Sequence, residues 1–206
     1  MPMQIREEKT EYDEAKFVAK TIQSMMNEGE GSYNDYAVFY RTNAQSRVLE
    51  EQLRTLGIPY RLVGGVRFYE RMEIKDVISY LKLSLNPADD IALKRIINVP
   101  ARGIGKTTVE KIEEFSAKNG LTMFDGLRRG IEERLFNAGT TGKLRRFIEL
   151  METLQGNANH FPMLDFYQIV LDQTEYLAAL KKDESPESLA RIQNLEELGN
   201  AIAQFV

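Results

Sequence analysis

Tyr36-Ala37-Val38-Phe39-Tyr40-Arg41-Thr42-Asn43-Ala44-Gln45-Ser46-Arg47 is an apolar run that passes into a cluster of hydrogen-bonding side chains. Behind it, Val48, Leu49, Leu53 and Leu56 recur at helical spacing. The pattern predicts a strand over 35–41, apolar on both faces as in a parallel sheet, followed by a helix. Thr42 or Asn43 is placed to cap that helix and Gly57 to end it. Arginines, amides and hydroxyls thus gather where backbone N–H groups are also free, a favourable place to hold a phosphate. The plainer reading is that the arginines are solvated and the polar residues only cap the helix.

Working outward, Gln4-Ile5-Arg6 reads as a short strand, and Ala15, Val18, Ile22, Met25 and Met26 form a helical stripe across 12–27. Gly29-Glu30-Gly31-Ser32 breaks it, and 60–63 reads as another strand. This rhythm predicts an α/β fold: a small parallel sheet with helices packed on it. Beyond Gly64-Gly65 strand patterns almost vanish. Helices are predicted at 72–85, 89–98, 106–118, 122–136, 141–156, 163–173 and 186–204, with Asn86-Pro87 stopping the first. The change of character makes Gly64-Gly65 the expected domain boundary and a candidate hinge, against the alternative of an ordinary tight turn.

Hydrophobic residues are 43% and charged residues 28% of the 206, which suits a globular protein. No apolar run reaches the length of a membrane span, and no secretory signal is evident. With no cysteine, disulfides and thiolate zinc sites are excluded. The single histidine, His160, lies in a polar Asn-Ala-Asn-His stretch and reads as a surface residue. No metal site is expected: acidic pairs such as Asp89-Asp90 and Glu196-Glu197 have no ligand partners at suitable spacing and read as helix-start and surface charges. Net charge is −4, yet 94–146 holds twelve Lys/Arg against six Asp/Glu. A basic middle between acidic flanks points to a localised polyanion contact.

Gly103-Ile104-Gly105-Lys106-Thr107 ends like an ATP-binding P-loop, but Pro100 stands where that pattern needs glycine, and a helical pattern precedes it instead of a strand. No catalytic residue is therefore expected. The same residues suit a helix–turn–helix clamp on a nucleic-acid backbone. Its glycines admit a phosphate, the helix start supplies N–H groups, Thr107 and Thr108 add hydroxyls, Arg102 and Lys106 add charge, and Ile104 packs between the helices. A plain helical hairpin with a glycine turn is the alternative. In Gly64-Gly65-Val66-Arg67-Phe68-Tyr69-Glu70-Arg71, Phe68 or Tyr69 could stack on a base, or both could be core rings locking the segment to the next helix.

These blocks, in this order, resemble the UvrD/PcrA/Rep group of superfamily 1 DNA helicases. Tyr40 to Arg47 is similar to the segment after the family's fourth ATPase motif. Gly64 to Arg71 with Glu73-Ile74-Lys75-Asp76 resembles the opening of its 2B subdomain. Asn98-Val99-Pro100-Ala101-Arg102-Gly103-Ile104-Gly105 resembles its duplex-contacting element, and Arg191 to Leu198 a recurrent 2B helix. The resemblance covers nearly the whole chain and is specific in combination. It implies that 1–63 is part of a RecA-like 2A subdomain and 64–206 most of a helical 2B. It implies single-strand contact by Arg41 and Asn43, with Arg67 as a third, and duplex contact by Gly103, Ile104, Gly105 and Thr108, to which the residues themselves add Arg102, Lys106 and Thr107. The implied whole protein couples ATP and Mg²⁺ to 3′-to-5′ movement on single-stranded DNA in repair or replication, in the cytoplasm, with duplex–single-strand junctions and repair proteins as partners and no membrane. Its P-loop, Mg²⁺-binding motif and phosphate-sensing arginines have no counterpart here and are expected before Met1 and after Val206. The chain is thus expected to be an excised piece that holds no cofactor and does not hydrolyse ATP alone. Alternatives are a stand-alone DNA-binding adaptor or a protein-docking helical module.

Overall fold

The computed structural model describes residues 5–29 and 31–204 and divides the chain into two compact units, one ending at Arg71 and one beginning at Met72. Gly64-Gly65, where the sequence changes character, lies inside the first unit.

In the first unit, helix α1 (Glu11–Asn27) starts where Thr10 accepts the Asp13 N–H at 3.1 Å. Helix α2 (Ser46–Thr55) packs on it and ends in two hydrogen bonds, Gly57 N–H to the Arg54 carbonyl and Ile58 N–H to that of Leu53. Ala19, Ile22 and Ile58 form the buried centre, covered by Val18, Met26, Tyr36, Leu53 and Leu56.

The expected parallel sheet is absent, and the α/β reading is corrected: among the described residues there is no strand. Residues 36–40 and 58–62 lack regular secondary structure, and Tyr36 and Thr42 have extended dihedrals. No ladder joins these segments. A strand exists only when its N–H and C=O groups pair with a neighbour. Phe39 is 93% exposed and Val63 80%, so the apolar runs that read as buried strands are open to solvent. Of the predicted strand 4–6, Gln4 lies outside the described residues, as does Glu30 of the predicted break, and Ile5-Arg6 joins no strand among the described residues.

The second unit is helical throughout, with α3 (Met72–Leu85) at its centre. Helices α4 (Asp90–Ile96), α7 (Ala138–Ala158), α8 (Met163–Gln173) and α10 (Pro186–Gln204) all contact it. Ile74, Val77, Tyr80 and Leu83 are fully buried in consequence. Between α4 and α7, α5 (Lys106–Asn119) and α6 (Met123–Glu132) form a tight hairpin. A Cβ at Gly126 would stand 1.9 Å from Ser116 Oγ, so that close approach requires glycine. Helix α9 (Tyr176–Lys181), which the periodicity did not mark, is a short turn between α8 and α10.

Polar links cross this core. Asn194 donates to Glu73 at 2.6 Å, and the Tyr167 hydroxyl donates to the Leu195 carbonyl at 2.6 Å. Glu197 is buried, a correction to its reading as a surface charge. Asp76, 2% exposed, accepts from the Tyr176 hydroxyl at 2.7 Å and lies 2.7 Å from Arg95 Nε. Burial pushes the Asp76 carboxyl up from its ordinary range, and the Tyr176 hydrogen bond and Arg95 charge only partly offset this. A carboxyl with a raised folded-state pKa contributes stability that is complete below its unfolded value and is lost as pH rises through the folded value. Asp76→Asn removes that titration. Its urea midpoint, measured against the wild type at pH 4 and pH 7, is expected to compare more favourably at pH 7, and an identical difference at both values refutes the assignment.

Candidate nucleic-acid interface

The turn from α4 to α5 takes its shape from one side-chain oxygen. Asn98 Oδ1 accepts from the N–H of Arg102 at 2.8 Å and of Ile104 at 3.0 Å, folding 98–104 back on itself. Ile104 is thereby driven into the core at 1% exposure, as its expected position between the helices requires. Burying such a side chain contributes roughly 1.5–3 kcal/mol, enough to anchor a short turn. Gly103 and Gly105 on either side remain exposed. Gly103 has φ +69°, the left-handed region that glycine enters without strain.

At Gly105 the backbone opens α5 with no side chain to cap it. Thr108 and Val109 N–H return to the Gly105 carbonyl, whereas the N–H groups of Lys106 and Thr107 have no partner among the described residues. Helix starts leave such donors free, and the helix dipole adds partial positive charge there. Lys106 and Thr107 are exposed and Thr108 is half-buried. The Lys106 ammonium is 3.6 Å from Glu110 on the next turn of its own helix, which partly offsets its charge. This surface offers an anion two backbone donors, a hydroxyl and a cation. What precedes the turn is α4, a helix, so the P-loop-like string stands in a setting no P-loop has.

Arg102 is placed differently from its expected role in touching DNA. Its Nη1 donates to the carbonyls of Ile96 (3.1 Å) and Pro100 (3.2 Å), and its Nη2 to the Tyr80 hydroxyl (2.6 Å). The guanidinium also lies within 6 Å of the Tyr80 and Phe147 ring centres. The Tyr80 hydroxyl in turn donates a hydrogen bond to the Val99 carbonyl. Burial pushes its hydroxyl up to about 12, while the Arg102 charge pulls the other way. Arg102 therefore braces the turn from beneath.

In the first unit, Arg41, Asn43 and Arg67 are exposed. Gln45 Oε1 accepts from the N–H of Arg41 (2.9 Å) and Thr42 (3.0 Å), so Gln45 as well as the expected Thr42 shapes the entry to α2. Arg71 Nη2 donates to the Asn43 carbonyl (2.9 Å) and Ser46 Oγ (2.7 Å), which fixes the Asn43 backbone. The Arg67 guanidinium stands 5.8 Å from the Tyr60 ring centre. Arg47, part of the segment that suggested a phosphate grip, is wholly buried, paired with Glu51 at 2.9 Å and withdrawn from any ligand. Phe68 is buried and the Tyr69 hydroxyl donates to Glu51 at 2.9 Å, so these rings pack Gly64 to Arg71 against α2. Burial pushes the Tyr69 hydroxyl up to about 12.

Elsewhere, Asp89 caps α4 by accepting the Ala92 N–H, and Asp90 accepts the Met123 N–H at 2.8 Å. His160 is exposed and hydrogen-bonds the Gly156 carbonyl. Among the described residues no acidic, histidine or cysteine cluster could hold a metal ion, and no helix is long and apolar enough to cross a membrane.

The sequence model described as UvrD-like helicase C-terminal domain matches residues 1–206. The ATP-dependent DNA helicase PcrA of Bacillus subtilis is 39% identical over 199 residues, covering 95% of this chain and 26% of the relative. PcrA of Staphylococcus epidermidis is 41% identical over 199 residues, with the same coverage. The ATP-dependent DNA helicase UvrD1 of Mycobacterium tuberculosis is 39% identical over 197 residues, covering 95% of this chain and 25% of the relative. The chain spans about a quarter of the length of these relatives. If Arg102 is a brace, Arg102→Gln is expected to lower the unfolding free energy by about 1.5–3 kcal/mol, the range for hydrogen bonds to charged groups. An unchanged urea midpoint overturns that role.

Proposed function

The chain belongs to the UvrD-like helicase C-terminal domain family, and from that premise we propose that it is the DNA-gripping portion of an ATP-dependent DNA helicase. In this reading 1–63 is part of subdomain 2A and 64–206 most of subdomain 2B, with Gly64-Gly65 as the hinge. The whole protein moves 3′ to 5′ along single-stranded DNA in repair or replication, with ATP and Mg²⁺ bound outside these residues. The relatives' description as ATP-dependent DNA helicases and the order of the matched blocks support this.

The observation that carries the DNA contact is the start of α5. Two N–H groups without a partner among the described residues, at Lys106 and Thr107, open beside an exposed glycine turn held rigid by Asn98 and Arg102. Such a surface takes a phosphate of the duplex backbone and reads no bases, which suits an enzyme that must unwind any sequence. Ile104 serves by anchoring the turn from within, and Gly103, Gly105, Thr107 and Thr108 present backbone and hydroxyl groups. Arg41, Asn43 and Arg67 are exposed on the first unit and serve the single strand, with Arg67 as the third contact.

Fluorescence anisotropy with a duplex carrying a 3′ single-stranded tail tests this. The wild type is expected to bind weakly and with strong salt dependence. Gly103→Asp combined with Lys106→Glu is expected to lower affinity about 10-fold or more at low salt, since it sets negative charge against phosphate. Equal binding by the two proteins removes the turn from the DNA interface. The P-loop pattern is missing, so the purified chain is expected to show no magnesium-dependent ATP turnover above a protein-free control. Measurable turnover refutes the assignment of the ATP site to other parts of the whole protein.

A further inference from the structure

The basic middle of the chain is less basic in three dimensions than its composition suggests. Lys94 pairs with Glu113, Arg95 with Asp76, Arg128 with Glu152 and Arg129 with Glu133, and Lys106 stands 3.6 Å from Glu110. Arg102 is committed to carbonyls and to Tyr80. One cation remains at the glycine turn without an acidic partner among the described residues, and it comes from a different helix. Lys143, in the second turn of α7, places Nζ 2.9 Å from the Gly103 carbonyl. It is so close that a Cβ on Gly103 would lie 2.8 Å from that nitrogen.

We propose that Lys143 is a phosphate-binding residue of the duplex interface and adds to the turn a positive charge with no acidic partner among the described residues. The inference rests on the duplex-binding role of the turn proposed above. An ammonium has three donors, and the Gly103 carbonyl takes one. The side chain is exposed, so the other two are open to a ligand. Gly103 is exposed as well, and the N–H groups of Lys106 and Thr107, which have no partner among the described residues, lie three and four residues further along the chain. A phosphodiester resting on the turn thus meets backbone donors from α5 and a fixed charge from α7. The carbonyl contact holds the ammonium in place before DNA arrives, which reduces the side-chain ordering that binding must otherwise impose on a free lysine. The arrangement is invisible in sequence because forty residues separate the two partners.

The test is a salt titration of binding by the 206-residue chain to the tailed duplex, with Lys143→Met, Lys143→Arg and the Gly103→Asp/Lys106→Glu double variant. Neutralising one phosphate contributes about 0.9 to the slope of log K against log salt. Lys143→Met is expected to lower the slope by about that amount and affinity by about 5-fold at low salt, with Lys143→Arg close to wild type. An unchanged slope overturns the proposal, whether affinity is retained or falls, because a lysine that only steadies the Gly103 carbonyl changes affinity without changing the number of phosphates neutralised. If the double variant binds like wild type, the duplex role of the turn fails and the Lys143 inference falls with it. If the double variant is defective while Lys143→Met matches wild type in slope, only the Lys143 inference fails.

Discussion

Asn98 Oδ1 takes the N–H groups of both Arg102 and Ile104, and the candidate interface exists because of that double hydrogen bond. A loop between two helices has several ways to satisfy its backbone. Here a single acceptor closes residues 98–104 into one shape, with Ile104 inward and Gly103 and Gly105 outward. Arg102 completes the arrangement by satisfying the carbonyls of Ile96 and Pro100 and tying them to Tyr80 at the centre of α3. The rigidity of an otherwise glycine-rich turn derives from the packed core beneath it. This matters for the proposed phosphate contact, because backbone donors act only if they are already aimed.

The second unit shows the same economy on a larger scale. α3 is surrounded by other helices, and it carries Glu73 and Asp76 into the interior along with its apolar residues. Each carboxylate meets a donor from a distant element, Asn194 from α10 and Tyr176 from α9. Buried polar pairs of this kind contribute little net stability, but an unmatched carboxylate would be costly. They therefore restrict how α9 and α10 can dock more than they strengthen the docking. The Asn194 contact gives a packing reason for the segment from Arg191 to Leu198.

Most helices of the second unit were legible because their apolar residues repeat at 3.6-residue spacing and their ends carry local stop signals. Met72–Leu85 and Met163–Gln173 match their predicted bounds, and Pro186–Gln204 its predicted span. The short α9 lacked enough turns to establish a period. The sheet failed for a different reason. Apolar runs at 35–41 and 60–63 have strand character, but a strand is a relation between segments, and the described residues place no paired neighbour beside them. Cations were also misread in sequence. Arg47 and Arg102 stand in segments that read as phosphate-holding, yet one is wholly buried against Glu51 and the other braces a turn.

By itself the sequence determined the family, the helical character of residues 72–204 and the position of the glycine turn, because these depend on residue order and local periodicity. Only the tertiary structure decided which cationic side chains stay exposed and which are tied up beneath the surface. It withdrew Arg47 and Arg102 and brought Lys143 to Gly103 across forty residues. The physical reason is that exposure and pairing are set by which elements pack together, and contacts between distant residues leave no trace in the spacing of either partner.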